Sequence, residues 1–582
     1  MKKLFYLAVS LFILLNAHAQ SPTCMWVKKS YDPSPGSSTA NIVVDNEHNV
    51  FMINNNGDLS LIDSSLSPNT FLSGSCIVKY DSLGHLLWYR KVKGDTSSWN
   101  GNVHIWAVQT DNANNVYAYG YYYSNILIEN QTLTSAGGSD IVLIKYDKNG
   151  NLLWAKSIGG PLSERIAYDG FRVSKNGDIF CTGLYGFYNY LSQYPTNDTI
   201  VTHFDTLSIT TTDSVYYYAF IARFNSNGTI RWVKSIPSGS IKVGVLKPGL
   251  DIEFLSIDKN NNSYLSGIAD TGVFLDGIQL QSNPEPLVSN NSTNNFFLKC
   301  DSNGQALFSK SIFNKGYDIL NYIAADSQEN AYLFQYSATD TTFIDGVPHV
   351  VNGCYLIKYD NVGNLVWLKK YGDIIHNQGI SLRGQGIVID KDNNLILAFT
   401  PGLKNIVVDS DTIHLPFAIG IFLIKANSTT GKAIWTKAIC DSGIIYSCFV
   451  KPDDNNNFYI TGLHNASSFF CIDSQCIQGY TFDRYFFLAK FHQTPTAIEP
   501  IPFYNNTLTL FPNPANETVT INRGNILPSQ LRLIDALGRT LPITLTTEEN
   551  RTHINIATLP PGLYMVLLND GNNVLTAKLM KE

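Results

Sequence analysis

The chain has 582 residues, of which 12% are aromatic and only 15% charged, and its formal charge is −6. That length exceeds one ordinary domain unless the chain is a repeat, and the composition is that of much β-structure beneath a largely neutral, polar surface. No basic stripe is present, so nucleic-acid partners are not expected.

The N-terminus reads as a secretory leader over residues 1–19. Lys2-Lys3 is followed by an apolar run from Leu4 to Leu15 and by Ala17-His18-Ala19, a small-x-small cleavage pattern. The run is too short to span a bilayer comfortably, and no later segment looks transmembrane. Two lysines leave with the leader, so the mature charge is −8 rather than −6. The nine cysteines are odd in number and do not recur at one repeat position, so they form no disulfide framework. Cys471 with Cys476, and Cys440 with Cys448, are spaced to close local loops. No C-x-x-C or H-E-x-x-H pattern is present, and neither metal nor cofactor is expected.

Residues 20–493 are dominated by a repeat of four short strands. Strand A carries a "VD" pattern, B a "Y-x-x-G", C an "IKYD" and D an "LLW-x-K". The D strands place an aromatic at Trp26, Trp88, Trp154, Trp232, Phe308, Trp367 and Trp435, and six of the eight tryptophans fall at this position. Recurrence in every unit makes these residues scaffold rather than site. In KYDKNGNLLW, a two-residue type I′ turn at Asn149-Gly150 sets Tyr146 opposite Leu153 and Lys145 opposite Trp154, within reach of a cation–π contact. The A–B turns are rich in Asp and Asn. Asp390, Asp392 and Asn394 imitate the start of a calcium loop but lack its Gly and distant Glu, so turn chemistry is the better account.

Four strands per unit at this period are blade-like. The mature chain begins with a lone D strand at Cys24–Ser30, and the last unit ends with a lone C strand at Tyr485–His492. Pairing them, with Lys490 opposite Trp26, closes a ring of seven blades and removes two open sheet edges. Alternation then sorts tight A–B and C–D turns to one face and long B–C and D–A connections to the other. Long loops on a rigid scaffold are the usual place for a site. The largest B–C insertion, about Tyr185 to Tyr218, offers Tyr185, Phe187, Tyr188, Tyr190 and Tyr194 to a glycan or protein ligand. A D–A connection adds Trp99 and His104, while Trp106 reads as core.

The motifs "I-x-K-Y-D-x-x-G-N-L-x-W" and "D-x-x-N-x-Y-x-x-G" resemble the bacterial seven-bladed propeller repeats called SBBP or beta-propeller repeats, from about Cys24 to Gln493. Unit four departs from them at Cys300 and Phe308. The stretch Thr430–Trp435 is similar to a quinoprotein repeat over a few residues, without the Cys pair or ligand set of a quinone site.

Residues 494–507, TPTAIEPIPFYNNT, form a linker with three prolines. Residues 508–582 return to short alternating strands, as in a small Ig-like β-sandwich. Pro512-Asn513-Pro514-Ala515, Asp535-x-x-Gly538, Leu559-Pro560-x-Gly562-x-Tyr564 and the basic end at Lys578 and Lys581 resemble the type A sorting domain of type IX secretion. Pro512 and Pro514 are expected to hold an extended entry. The resemblance implies export through the outer-membrane translocon and sorting machinery, with the product secreted or held at the cell surface. The expected function is a non-catalytic binding or adhesion module. The alternative is a secreted propeller enzyme cleaving polysaccharide or peptide at the long-loop face.

Overall fold

The computed structural model describes residues 21–32, 41–55, 74–94, 103–187, 199–211, 218–237, 250–269, 272–280, 293–314, 322–337, 341–351, 353–371, 386–399, 405–409, 411–414, 420–440, 444–465, 469–473, 475–478, 484–493, 508, 510–522, 531–535, 540–548, 551–569 and 574–582. The leader, the whole linker 494–507, and Trp99, Tyr188, Tyr190, Tyr194 and Gly538 lie outside the described residues. Among the described residues every regular element is a β-strand. The chain divides into two compact units, residues 1–494 and 495–582.

In the larger unit the strands pair as antiparallel A-B-C-D sets. One set is Val103–Thr110, Val116–Ile128, Gln131–Tyr146 and Leu152–Gly159. The same order runs through Ile42–Val44 to Leu86–Gly94, Ser163–Val173 to Ile230–Pro237, Leu250–Ile257 to Ala306–Asn314, Tyr322–Ala325 to Leu365–Tyr371, and Ile387–Ile389 to Ala433–Cys440. The final A, B and C strands are Ile444–Pro452, Asn457–Asn465 and Arg484–His492. Their D strand is Thr23–Asp32, from the other end of the chain, with Trp26 opposite Lys490. Burial explains the composition. A C strand such as Gly353–Tyr359 is buried at every position, because both of its faces meet neighbouring sheets. The D strands lie further out and are mostly half-buried, as in Leu152–Gly159.

Lys145 pairs with Trp154, but the turn between them is not the expected type I′. The amide of Gly150 donates to Asp147 O and that of Asp147 to Asn151 O, while Asp147 Oδ1 accepts from the Asn149 and Asn151 amides. Only Gly150, at φ 85°, has the left-handed conformation. Tyr146 therefore pairs with Leu152, and a bulge at Leu153 brings Lys145 back opposite Trp154. The cation–π contact also has a different ring. Lys145 Nζ lies 4.7 Å from the centroid of Tyr117, its B-strand partner, and Lys299, Lys358 and Lys490 lie over Tyr264, Tyr332 and Tyr459 in the same way.

Each C-strand base then reaches the next unit. Lys79 donates to Lys148 O, Lys145 to Ser226 O, Arg223 to Ser302 O, Lys299 to Asn361 O and Lys358 to Ser428 O, all carbonyls of the following C–D turn. Lys425 donates to Gln493 Oε1, and Lys490, near the C-terminal end of the unit, donates to Ser82 O in the first turn. Trp26, Trp88 and Trp232 send their indole N–H to the same carbonyls. Lys425 Nζ also sits 2.6 Å from Asp390 Oδ2, so at the calcium-like run a lysine occupies the place beside the carboxylate.

The described parts of the B–C connections carry further strands. Several fold into hairpins against the D strand of the preceding unit, as Ile200–Phe204 and Leu207–Thr211 do against Leu152–Gly159, and Thr341–Ile344 and Val347–Val350 do against Ala306–Asn314. They cover an edge that would otherwise expose unpaired backbone. An acid at each hairpin tip meets the base two residues beyond the D-strand aromatic. The pairs are Arg90–Glu129, Lys156–Asp205, Lys234–Asp276, Lys310–Asp345, Lys369–Asp409 and Lys437–Asp473. At the last of these hairpins Cys471 and Cys476 form a disulfide, and Asp473 also accepts from the Cys24 amide. Cys24, Cys76, Cys181, Cys300 and Cys354 are free and buried. The side chains of Cys440 and Cys448 lie outside the described residues.

The smaller unit holds two four-stranded sheets over one core. Leu510, Val519, Ile521 and Ile554 come from one sheet, and Leu533, Val566, Leu568 and Leu579 from the other. The segment around Pro512 and Pro514 is a succession of bends with cis peptide bonds before both prolines, rather than an extended entry.

Candidate functional site

A cleft of about 410 Å³ opens where the B, C and D strands of one unit end and the A strand of the next begins, on the face that carries the long connections. Its size falls within the range of roughly 300–1,000 Å³ common for small-molecule sites. Trp106 comes from an A strand, Tyr121 and Tyr123 from the adjacent B strand, Ser139 from the C strand, and Ser163, Glu164, Arg165, Ile166 and Tyr168 from the following A strand. Alternation along Val116–Ile128 turns Tyr121 and Tyr123 to the cleft and Tyr122 into the core. The rings brace one another. Trp106 meets Tyr168 edge-on at 6.0 Å and donates its indole N–H to Tyr168 O, Tyr121 meets Tyr123 at 5.9 Å, and His104 stacks on Tyr121 at 5.1 Å.

The charges fall into two kinds. Glu164 is buried and takes hydrogen bonds from Thr202 Oγ1 and the Gly160 amide. Burial, and then the nearby Asp140, push its carboxyl up to about 8. Ser139 Oγ donates to the Glu164 carbonyl and the Gly138 amide to Leu162 O, which seals the seam between the two units. Arg165, by contrast, is exposed on the rim, with Asp251 Oδ2 at 3.8 Å. Burial and then Asp251 raise the Glu253 carboxyl to about 8, and burial raises Asp251 itself. Elsewhere on the A strands, Arg172 makes a two-point bond to Asp169, and burial with Arg172 nearby lowers Lys451 to about 8.

The residues expected to bind ligand fall differently. Tyr185 is not in a loop: it is buried within Ile179–Phe187, and its hydroxyl meets Ser235 Oγ at 2.6 Å. Phe187 ends the same strand, opposite Ser163. His104 lies within a strand, half-buried, and supports the cleft by stacking on Tyr121. Trp106, expected as core, packs against a core cluster and also lines the cleft. The aromatics missed by the loop argument were signalled by Tyr119-Gly120-Tyr121-Tyr122-Tyr123, a B strand running past its Y-x-x-G end with rings at every second position.

In the smaller unit the sorting residues converge. Asn513 donates to Lys578 O and accepts from the Met580 amide, and the Tyr564 hydroxyl donates to Pro560 O. Leu559 packs against the core, Gly562 begins the strand that carries Tyr564, and Asp535 follows Leu531–Ile534. Residues 509–582 match the family described as secretion system C-terminal sorting domain.

Residues 509–582 are a type IX secretion sorting domain. The sorting domain marks a protein exported to the cell surface or beyond. Over 428 residues the chain is 24% identical to an uncharacterised WD repeat-containing protein of Acanthamoeba polyphaga mimivirus, across 62% of this chain and 29% of that protein. The chain thus spans less than a third of that relative's length. With the repeat of strands, this likeness makes the fold propeller-like. Among solved structures, a protein of unknown function from Dyadobacter fermentans aligns with a TM-score of 0.32 at 12% identity, over 68% of this chain and 96% of its own. The polysaccharide lyase Uly1 aligns with a TM-score of 0.38 at 10% identity, over 80% and 92%. Likeness of this degree says nothing of chemistry.

Proposed function

We propose that the mature chain is an exported seven-bladed propeller, closed by the strand at Thr23–Asp32, that serves as a non-catalytic binding or adhesion module at residues 20–493. A linker at 494–507 and an Ig-like sorting sandwich at 508–582 direct its export. The closed ring is supported by the base-to-turn contacts, which pass from each unit to the next and from Lys490 back to Ser82. The observation that carries the binding reading is the aromatic cleft. Its rings stand at the mouth, while Glu164, the carboxyl beneath them, is held by internal donors.

Two measurements test this. In a host with type IX secretion, deleting residues 509–582 is expected to leave the protein in the periplasm, whereas the full chain reaches the surface or medium. Labelled mature protein is expected to bind extracellular material saturably without releasing reducing ends or new amines. Turnover of the bound material would favour the enzyme reading instead.

A further inference from the structure

We infer that the cleft between Tyr123 and Arg165 binds uncharged pyranose residues of a glycan. The inference rests on the binding reading above and names the ligand class. A pyranose has apolar C–H faces and an equatorial belt of hydroxyls. The cleft supplies the complement of both. Tyr123, 43% exposed, lines the cleft together with Trp106, Tyr121 and Tyr168, so ring faces and edges supply apolar surface there. At the rim, Arg165 and Asp251 set guanidinium donors 3.8 Å from a carboxylate acceptor, with the arginine side chain 62% exposed. A donor and an acceptor side by side match two adjacent hydroxyls, each of which both donates and accepts.

Charge argues against other ligands. An anion approaching Arg165 also meets Asp251, which already offsets it. A cation meets the exposed guanidinium. An extended peptide needs free backbone groups to pair with, and the wall nearest the mouth has joined its own through Gly138 to Leu162 and Ser139 to Glu164.

The test is calorimetric titration of the mature full chain with cellohexaose, laminarihexaose, xylohexaose, mannohexaose and N-acetylchitohexaose, and with hexagalacturonate as the anionic arm. At least one uncharged hexasaccharide is expected to bind. Tyr123→Ala and Arg165→Ala should each weaken that binding about tenfold, the loss typical of an anchoring interface residue. Both side chains are exposed, so melting temperatures should not move. The inference is overturned if none of the uncharged sugars binds, if hexagalacturonate binds most tightly, or if both variants bind like the parent. Binding accompanied by chain cleavage would overturn the non-catalytic reading and leave the ligand class intact. Adhesion to extracellular material that depends on Tyr123, with no hexasaccharide bound, would do the reverse.

Discussion

A buried base that finds both a ring and a carbonyl does the work of a covalent staple between units. Lys299 is the clearest case. Its side chain is 2% exposed, its ammonium lies 5.2 Å from the Tyr264 centroid, and it bonds Glu329 at 2.8 Å and Asn361 O at 2.9 Å. Lys299→Met keeps the length and loses the charge. Because Glu329 retains some water, the expected cost is about 2–3 kcal/mol, that of charge-assisted hydrogen bonds rather than of a fully stranded ion. Urea unfolding followed by tryptophan fluorescence measures it. All the tryptophans lie between Trp26 and Trp435, so the signal reports the larger unit alone. Glu164 gives a different signature. Its folded-state carboxyl keeps its proton up to about pH 8, while the unfolded one releases it near 4.5. The folded state therefore holds more protons between those values, and stability falls as pH rises through that window. Below it both states are protonated and the contribution is constant. Glu164→Gln should flatten the slope of the unfolding midpoint against pH from 5 to 8, and an unchanged slope would show that Glu164 is ionised in the folded state.

At the scale of elements, the added hairpins decide how the outer edges are managed. The hairpin Phe469–Ile472 with Gln475–Gln478 touches the N-terminal strand, through Asp473 and the Cys24 amide. The Cys471–Cys476 disulfide limits its unfolded freedom, a loop-closure contribution of about 2 kcal/mol for so short a ring. Replacing both cysteines by serine is expected to speed hydrogen exchange at Cys24 and its strand neighbours while leaving exchange in Gly353–Tyr359 unchanged. Equal acceleration at both would mean that the hairpin acts on the whole unit. Much of this level is legible in the residues. Spacing alone places Lys145 opposite Trp154, and it does so although the assumed turn is wrong. The real loop has three residues, Lys148 to Gly150, instead of two, which shifts the register by one, and the bulge at Leu153 restores it. The tip acids were not legible in the same way. Asp205, Asp276 and Asp345 sit at different distances from their lysines along the chain, and only the fold of the preceding D strand brings them together. The cleft was hidden for a related reason. Its rings belong to strands that look like scaffold, and the exposed loop in which a site was expected begins with the buried Tyr185.

For the molecule as a whole, the contact that matters most joins residues more than 400 positions apart. The strand Thr23–Asp32 pairs along its length with Arg484–His492, and Lys490 reaches Ser82 across the same junction. Ile42, Val50 and Val78 share a core cluster with Phe449, Tyr459, Phe486 and Leu488, so the first and last units are packed as well as paired. Removing residues 20–32 would strip the outer partner from Arg484–His492. It would leave a buried strand, rich in aromatic residues, with an open edge, which is a template for association between chains. The truncated protein is expected to melt at lower temperature and to elute as oligomers in size-exclusion chromatography with light scattering. Because the missing piece is one strand, a peptide of residues 20–32 added in trans should bind the truncated chain and restore the monomer, as intramolecular closure becomes ordinary association. The same peptide with Trp26 replaced by Ala should bind more weakly, having lost the indole N–H to Ser82 O and the edge contact with Tyr459. A truncated chain that stays monomeric and as stable as the parent would mean that the larger unit does not depend on its N-terminal strand.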